Sequence, residues 1–309
     1  MEHRHTPETL LLFGGVPSNY LEEWEITDDL ELAESKLGVL FKSVSADDLV
    51  ARYHALDERD RTEASQLAQD LIDNASPQGK AGMPSHVPPP PSQEEIAKAT
   101  GLYVAMRQFV EAYDADAVTI TCGPWIRGED LPVPCMALML FQEQGLPAAC
   151  QGDLDALLTM VLFKRATGWT SFMGGAVKAQ GHVGLSHCVL CRTMPGPDRE
   201  QAYVISNYHG RKESPTIWVD VPVGETVTVA RLTRNLERLL LFKAPVVANE
   251  AENARCRNTL IVDVPDRDRV FQAVKGHQNH YVAAFGDHTG ALTEMAADRG
   301  IEVVRLDPS

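Results

Sequence analysis

Asp153, His187, His280 and the thiols of Cys135, Cys188 and Cys191 are the side chains of this chain best suited to hold a cation or move a proton. A carboxylate such as Asp153 can ligate a metal or act as a base, and the imidazole of His280 can do either. Cys135 adds a thiol, and Ser186-His187-Cys188 followed by Cys191 adds an imidazole and a C-x-x-C pair. Thiolate with imidazole suits zinc or iron better than a hard cation. Each group also has a plainer reading. Asp153 precedes a helical pattern, where a carboxylate satisfies free backbone N–H groups. His280 reads as a satisfied histidine at a strand start, and His288 as a residue of a first helical turn. Residues 187–191 read equally as a strand interior and a turn with small buried thiols. Cys122 and Cys150, at strand ends, read as packing.

Three further residues are expected to touch a substrate. The guanidinium of Arg127 can pair with a carboxylate or phosphate, and the indole of Trp125 can lie on a sugar face. Gln151 is delivered with Asp153 to one turn. His277 has the weakest case of the histidines near His280.

These residues must be placed by an α/β framework. Apolar runs at residues 9–14 and 37–44 predict strands, and Ser45 with Asp48 makes a capping box for a helix. Amphipathic stretches at 47–56 and 60–72 lead into residues 76–91, a loop or linker with four consecutive prolines. Ser92 with Glu95 opens a helix running to residue 110. Residues 117–121 predict a buried strand that delivers Cys122, Trp125 and Arg127 to its carboxyl end, where open α/β sheets bind ligands. A helix at 136–143, a strand at 146–149 and a helix at 154–165 complete a βαβα pattern.

Beyond Gly168 the texture changes. Residues 182–189, 202–208, 216–221 and 226–232 are β-branched, alternating and separated by turn residues. A strand at 281–285, a helix at 289–298 and a strand at 301–306 close the chain, and no internal repeat is visible. The expected fold class is α/β: a doubly wound parallel-sheet domain over 1–150 containing the loop 76–91, then a mainly antiparallel, β-rich domain over 151–309.

Bulk properties exclude several classes. A length of 309 residues favours two domains. The composition, 44% apolar and 23% charged, is that of a globular protein, and no apolar run approaches the roughly 18 residues that span a bilayer. A net charge of -15 repels phosphate backbones, so neither membrane nor nucleic acid is an expected partner. Six cysteines are too few for a disulfide framework in a chain of this size. Residues 1–6 carry histidine and charge where a secretory signal needs an apolar stretch, so a cytoplasmic location is expected. The acidic stretches 22–34 and 57–60 read as solvated faces.

The run Ala149-Cys150-Gln151-Gly152-Asp153-Leu154-Asp155-Ala156, together with Asn279-His280-Tyr281 and Phe285-Gly286-Asp287-His288, resembles the L-fucose and L-arabinose isomerase family. The resemblance runs from the strand at Leu10 to the end and corresponds to the family's second and third domains. It implies that Asp153 and His280 bind one divalent metal, manganese by family likeness. Two departures stand out. Pro134-Cys135-Met136 occupies the place of the family's catalytic, metal-binding glutamate, and Gln151 stands where an acid is common. The resemblance also implies a homo-oligomer, trimeric or hexameric, with a separately encoded first domain as a conceivable partner; surface left bare by a missing domain would favour association.

Three functions follow as expectations. The first is a metal-dependent ketol isomerase acting on a small polar hydroxy-carbonyl or sugar-like substrate through Asp153, His280 and Cys135, with His187 as a further ligand. The second keeps the scaffold for lyase, hydrolase or thiol chemistry at Cys135 or Cys188. The third is a non-catalytic sugar-binding or assembly subunit.

Overall fold

Leu10, Leu11, Leu12 and Phe13 are all buried, the unbroken apolar run of a strand covered on both faces. In the computed structural model, which describes residues 7–15, 27–77, 90–122, 131–210, 214–251, 256–275 and 279–307, they form β1 (Glu8–Phe13). Parallel to β1 run β2 (Val39–Val44) on one side and β3 (Ala117–Ile120) on the other, and β4 (Ala148–Ala149) follows β3. The order β2-β1-β3-β4 reverses its direction of growth between β1 and β3. The carboxyl ends of those strands therefore frame the crevice where such sheets receive ligands. Thr121 Oγ1 donates to the Gly15 carbonyl at 2.9 Å and ties the two ends together.

The helices of this half start where polar caps satisfy their first N–H groups. Asp29 caps α1 (Leu30–Leu37), which stops at Gly38 with φ 66°. Ser45 caps α2 (Ala46–His54), and Asp57 with Asp60 forms a capping box on α3 (Glu58–Asp73). Ser92 caps α4 (Gln93–Tyr113), and α5 (Cys135–Glu143) follows after Pro134. Part of the acidic stretch 22–34 thus belongs to a helix, and the acids at 57–60 do more than face solvent. The only part of loop 76–91 within the described residues is its two ends.

The second half is built on β5 (Phe172–Ala179), β6 (His182–His187), β9 (Thr226–Leu232), β10 (Arg238–Glu250), β11 (Asn258–Val262), β12 (His280–Phe285) and β13 (Glu302–Arg305). Their order is β11-β6-β5-β12-β9-β10-β13, and among these pairings all but β10 with β13 are antiparallel. The 13 residues of β10 pair first with β9 and then with β11, which closes six strands into a ring. A separate antiparallel pair joins β7 (Tyr203–Asn207) to β8 (Pro215–Val219). The helices α7 (Arg267–Ala273) and α8 (Thr289–Ala297) complete this half.

Between the sheets lies α6 (Leu154–Thr167), buried on every side from Leu154 to Phe163 and touching β3 and β4 as well as β5, β9 and β12. A helix apolar all round belongs in a core. Its amino end is the one part that carries charge inward. Among the described residues no helix is long and apolar enough to cross a membrane.

Candidate active site

The site begins where α6 begins. Cys150 leaves β4, Gln151 and Gly152 both adopt left-handed backbone (φ 60° and 63°), and Gly152 N–H donates to the Ile120 carbonyl at 2.9 Å. A left-handed Gln costs on the order of 1 kcal/mol, the kind of strain found at functional turns. The turn aims Asp153 into the interior as the helix cap: Oδ1 accepts from Ala156 N–H at 3.0 Å. Asp155 follows in the first turn, so two carboxylates, both fully buried, sit at the positive end of one helix.

Buried charge needs a counter-charge, and β9 supplies it. The fully buried Arg231 donates from Nη1 to Asp153 Oδ2 at 3.3 Å and to the His280 carbonyl at 2.6 Å. Its Nη2 donates to Asp155 Oδ2 at 3.3 Å. The Thr27 hydroxyl donates to the other Asp155 oxygen. Arg231 belongs to no motif; its signal in the sequence is a lone charge within the apolar strand Thr-Val-Thr-Val-Ala-Arg-Leu.

His280, the first residue of β12, completes the network: its Nδ1 lies 3.0 Å from Asp153 Oδ2. A carboxylate accepts, so Nδ1 carries the proton and Nε2 is the basic nitrogen. Nε2 has no hydrogen-bond partner among the described residues. Opposite it in β5 stands Gly175, where an added Cβ would lie 3.6 Å from the His280 ring. His187, at the end of β6, is the second imidazole, its ring centroid 5.3 Å from that of His280 at 59°. Cys188 N–H donates to His187 Nδ1 at 2.9 Å.

The electrostatics set the charge states. Burial acts to raise Asp153, but the Arg231 charge and the His280 hydrogen bond outweigh it and hold the carboxyl below its ordinary value. Burial pushes Asp155 up to about 7, because Arg231 only partly offsets the loss of water. Burial likewise holds His187 well below the usual imidazole range, with the neighbouring His280 adding to the effect.

The structure thus brings Asp153, His280 and His187 together. Cys135 packs with Val133 and Cys188 in a small apolar cluster. Among the described residues no set of three or more His, Cys, Asp or Glu is gathered so as to hold a metal ion. The local bonding gives the physical reason. Both Asp153 oxygens already accept hydrogen bonds, and the Arg231 guanidinium lies against both carboxylates. Because His187 Nδ1 accepts from a backbone N–H, its Nε2 carries the proton of the neutral ring and offers no lone pair. As they stand, the Asp153 oxygens and the His187 ring nitrogens are committed to these bonds and tautomers, and the chemistry considered is that of the chain's own residues.

The C-x-x-C pair is divided as well. Cys188 lies with Cys135, its sulfur accepting from Arg257 N–H at 3.1 Å, while Cys191 joins the main core. Burial pushes Cys188 well above the usual thiol range and Cys191 up to about 12, a poor state for a nucleophile. Cys122 and Cys150, their sulfurs 3.4 Å apart, belong to the main core. His288 N–H donates to Thr228 Oγ1 at 2.8 Å immediately before α8. Trp125, Arg127 and His277 lie outside the described residues, and Gln151 is part-buried in its turn.

No family model matches this chain. Against curated proteins it is 26% identical over 211 residues to a sulfoquinovose isomerase of Clostridium sp. (strain MSTE9), covering 63% of this chain and 45% of that protein. A sulfoquinovose isomerase of Alkalicoccus urumqiensis is 26% identical over 220 residues, 66% of this chain and 47% of its own. For one of Priestia megaterium the identity is 20% over 219 residues, 68% and 48%. The chain spans about half the length of the curated relatives it matches. Its likeness, at low identity, is to sugar isomerases related to but not the same as the L-fucose isomerases.

Proposed function

We propose that this chain isomerises a small polar hydroxy-carbonyl compound of the sugar class, aldose to ketose, with Asp153 and His280 handling the proton. The observation that carries the reading is the 3.0 Å contact between Asp153 Oδ2 and His280 Nδ1. It joins the two residues that the family likeness singles out, which lie 127 positions apart on a helix cap and a strand. The sugar isomerase relatives support it.

Aldose–ketose isomerisation moves one proton between adjacent carbons through an enediol. In this site His280 Nε2 takes the proton from the carbon beside the carbonyl and returns it to the neighbour. Asp153 fixes the ring and stabilises the imidazolium that forms, as a buried carboxylate does for a catalytic histidine. Arg231 keeps Asp153 ionised in the absence of water. A positioned base of this kind contributes about 100- to 10,000-fold in rate.

The test is direct conversion. The protein is incubated with sulfoquinovose and, separately, L-fucose, and the ketose is sought by NMR. Ketose from either sugar that is lost in His280→Ala supports the reading. A wild-type protein inert toward both sugars and toward a panel of aldoses, although it binds them, would move the balance to a sugar-binding role.

A further inference from the structure

Among the described residues, the His187 side chain is a buried donor with no acceptor. Its Nδ1 accepts from Cys188 N–H, so the neutral ring carries its proton on Nε2. That atom is buried and has no hydrogen-bond partner among the described residues. Leaving a buried polar group unpaired is costly and calls for an explanation. Here the atom belongs to a ring 5.3 Å from that of His280, whose hydrogen bond to Asp153 leaves Nε2 as an acceptor. The two imidazoles are thus of opposite tautomer, one taking protons and one offering a hydrogen bond.

We infer that His187 Nε2–H is the hydrogen-bond donor to the reacting oxygen of the substrate, stabilising the negative charge that develops there. The inference rests on the isomerase reading of the site and adds an electrophile to its base. When His280 Nε2 takes the carbon-bound proton, the C–H pair becomes the C=C bond of the enediolate and the carbonyl π pair moves to oxygen. His187 donates to that oxyanion without leaving the neutral state. The hydroxyl proton of the adjacent oxygen then moves to the oxyanion, and His280 returns its proton to the other carbon, so no proton or electron is left over. A protonated Nε2 has no lone pair to offer a metal, so donation and ligation are distinct roles for this atom.

Nitrogen-15 NMR of the histidines in wild-type protein, alone and with an aldonohydroxamate as enediolate mimic, tests the assignment. The expected spectrum shows His187 protonated on Nε2 and His280 on Nδ1, and the His187 Nε2 signal shifts on adding the hydroxamate. His187 protonated on Nδ1, or an Nε2 signal unmoved by a hydroxamate that shifts His280, overturns the donor role and leaves the isomerase reading standing. Tautomers as stated with no hydroxamate binding overturn the isomerase reading and the donor role with it. In turnover, His187→Ala is expected to lower kcat about 100- to 1,000-fold with a smaller change in KM, the usual effect of removing one oxyanion donor. His187→Gln, which keeps an N–H, recovers part of the loss, and equal activity of wild type and both variants contradicts the role.

Discussion

His280 Nδ1 meets Asp153 Oδ2 at 3.0 Å, while Arg231 Nη1 reaches the same carboxylate oxygen at 3.3 Å and the His280 carbonyl at 2.6 Å. One guanidinium therefore fixes both partners of the pair. Asp153→Asn preserves the shape but removes the charge that stabilises an imidazolium. We expect kcat to fall about 100- to 10,000-fold with little change in KM. Steady-state kinetics on any accepted sugar checks this, and unchanged kcat would remove Asp153 from the mechanism.

Arg231→Met tests the same network through stability. It leaves Asp153 and Asp155, both fully buried, without their cation. Breaking a buried ion pair at one partner costs about 3–5 kcal/mol, so urea unfolding should shift by that order. Adding Asp153→Asn should recover part of it, since Asp153 is the carboxylate that Arg231 holds ionised. A loss below ~1 kcal/mol would show that the network carries little stability.

Asp155 gives the fold a specific pH dependence. Its carboxyl is raised from 3.8 to about 7, so between those values the native state binds more protons than the unfolded chain. Stability from this group is complete below 3.8 and is lost as pH rises through about 7. The difference in unfolding free energy, wild type minus Asp155→Asn, should therefore decline across that window. A difference that stays flat, or rises, contradicts the assignment.

Two glycines in β5 make the close approach of its neighbours possible. A Cβ on Gly174 would lie 2.7 Å from the carbonyl carbon of Leu185, a backbone atom that cannot turn aside. Gly174→Ala should cost about 1–3 kcal/mol, whereas Gly224→Ala, where a Cβ meets nothing but φ is 88°, should cost only the backbone strain. Thermal melts of the two variants decide this, and equal small losses would contradict the crowding.

Much of the framework was legible because caps and burial write themselves locally. Ser45 and Ser92 cap α2 and α4 as their spacing predicts, and the apolar run around β1 is a buried parallel strand. The elements that escaped notice break their own pattern. Gly174-Gly175 interrupts β5, Pro245 interrupts β10, and β11 and α7 are short. α1 lies in an acidic stretch whose charge pattern alone reads as a solvated face. Asp153 and His280 were found from short motifs, and the fold brings them together. Arg231 could not be found that way: its role depends on β9 lying beside β12 and over the start of α6, a relationship of topology rather than of spacing. The tautomer of His187 is likewise set by one backbone N–H, which no sequence pattern announces.

His280, held by Asp153, is the group proposed to move a carbon-bound proton. Exchange measures that step without requiring net turnover. An accepted sugar is incubated in D2O with wild type and with His280→Ala, and deuterium at the carbon next to the carbonyl is followed by proton NMR. Incorporation is expected with wild type, with a loss of at least about 100-fold in the variant. Exchange that survives in His280→Ala at the wild-type rate would contradict it.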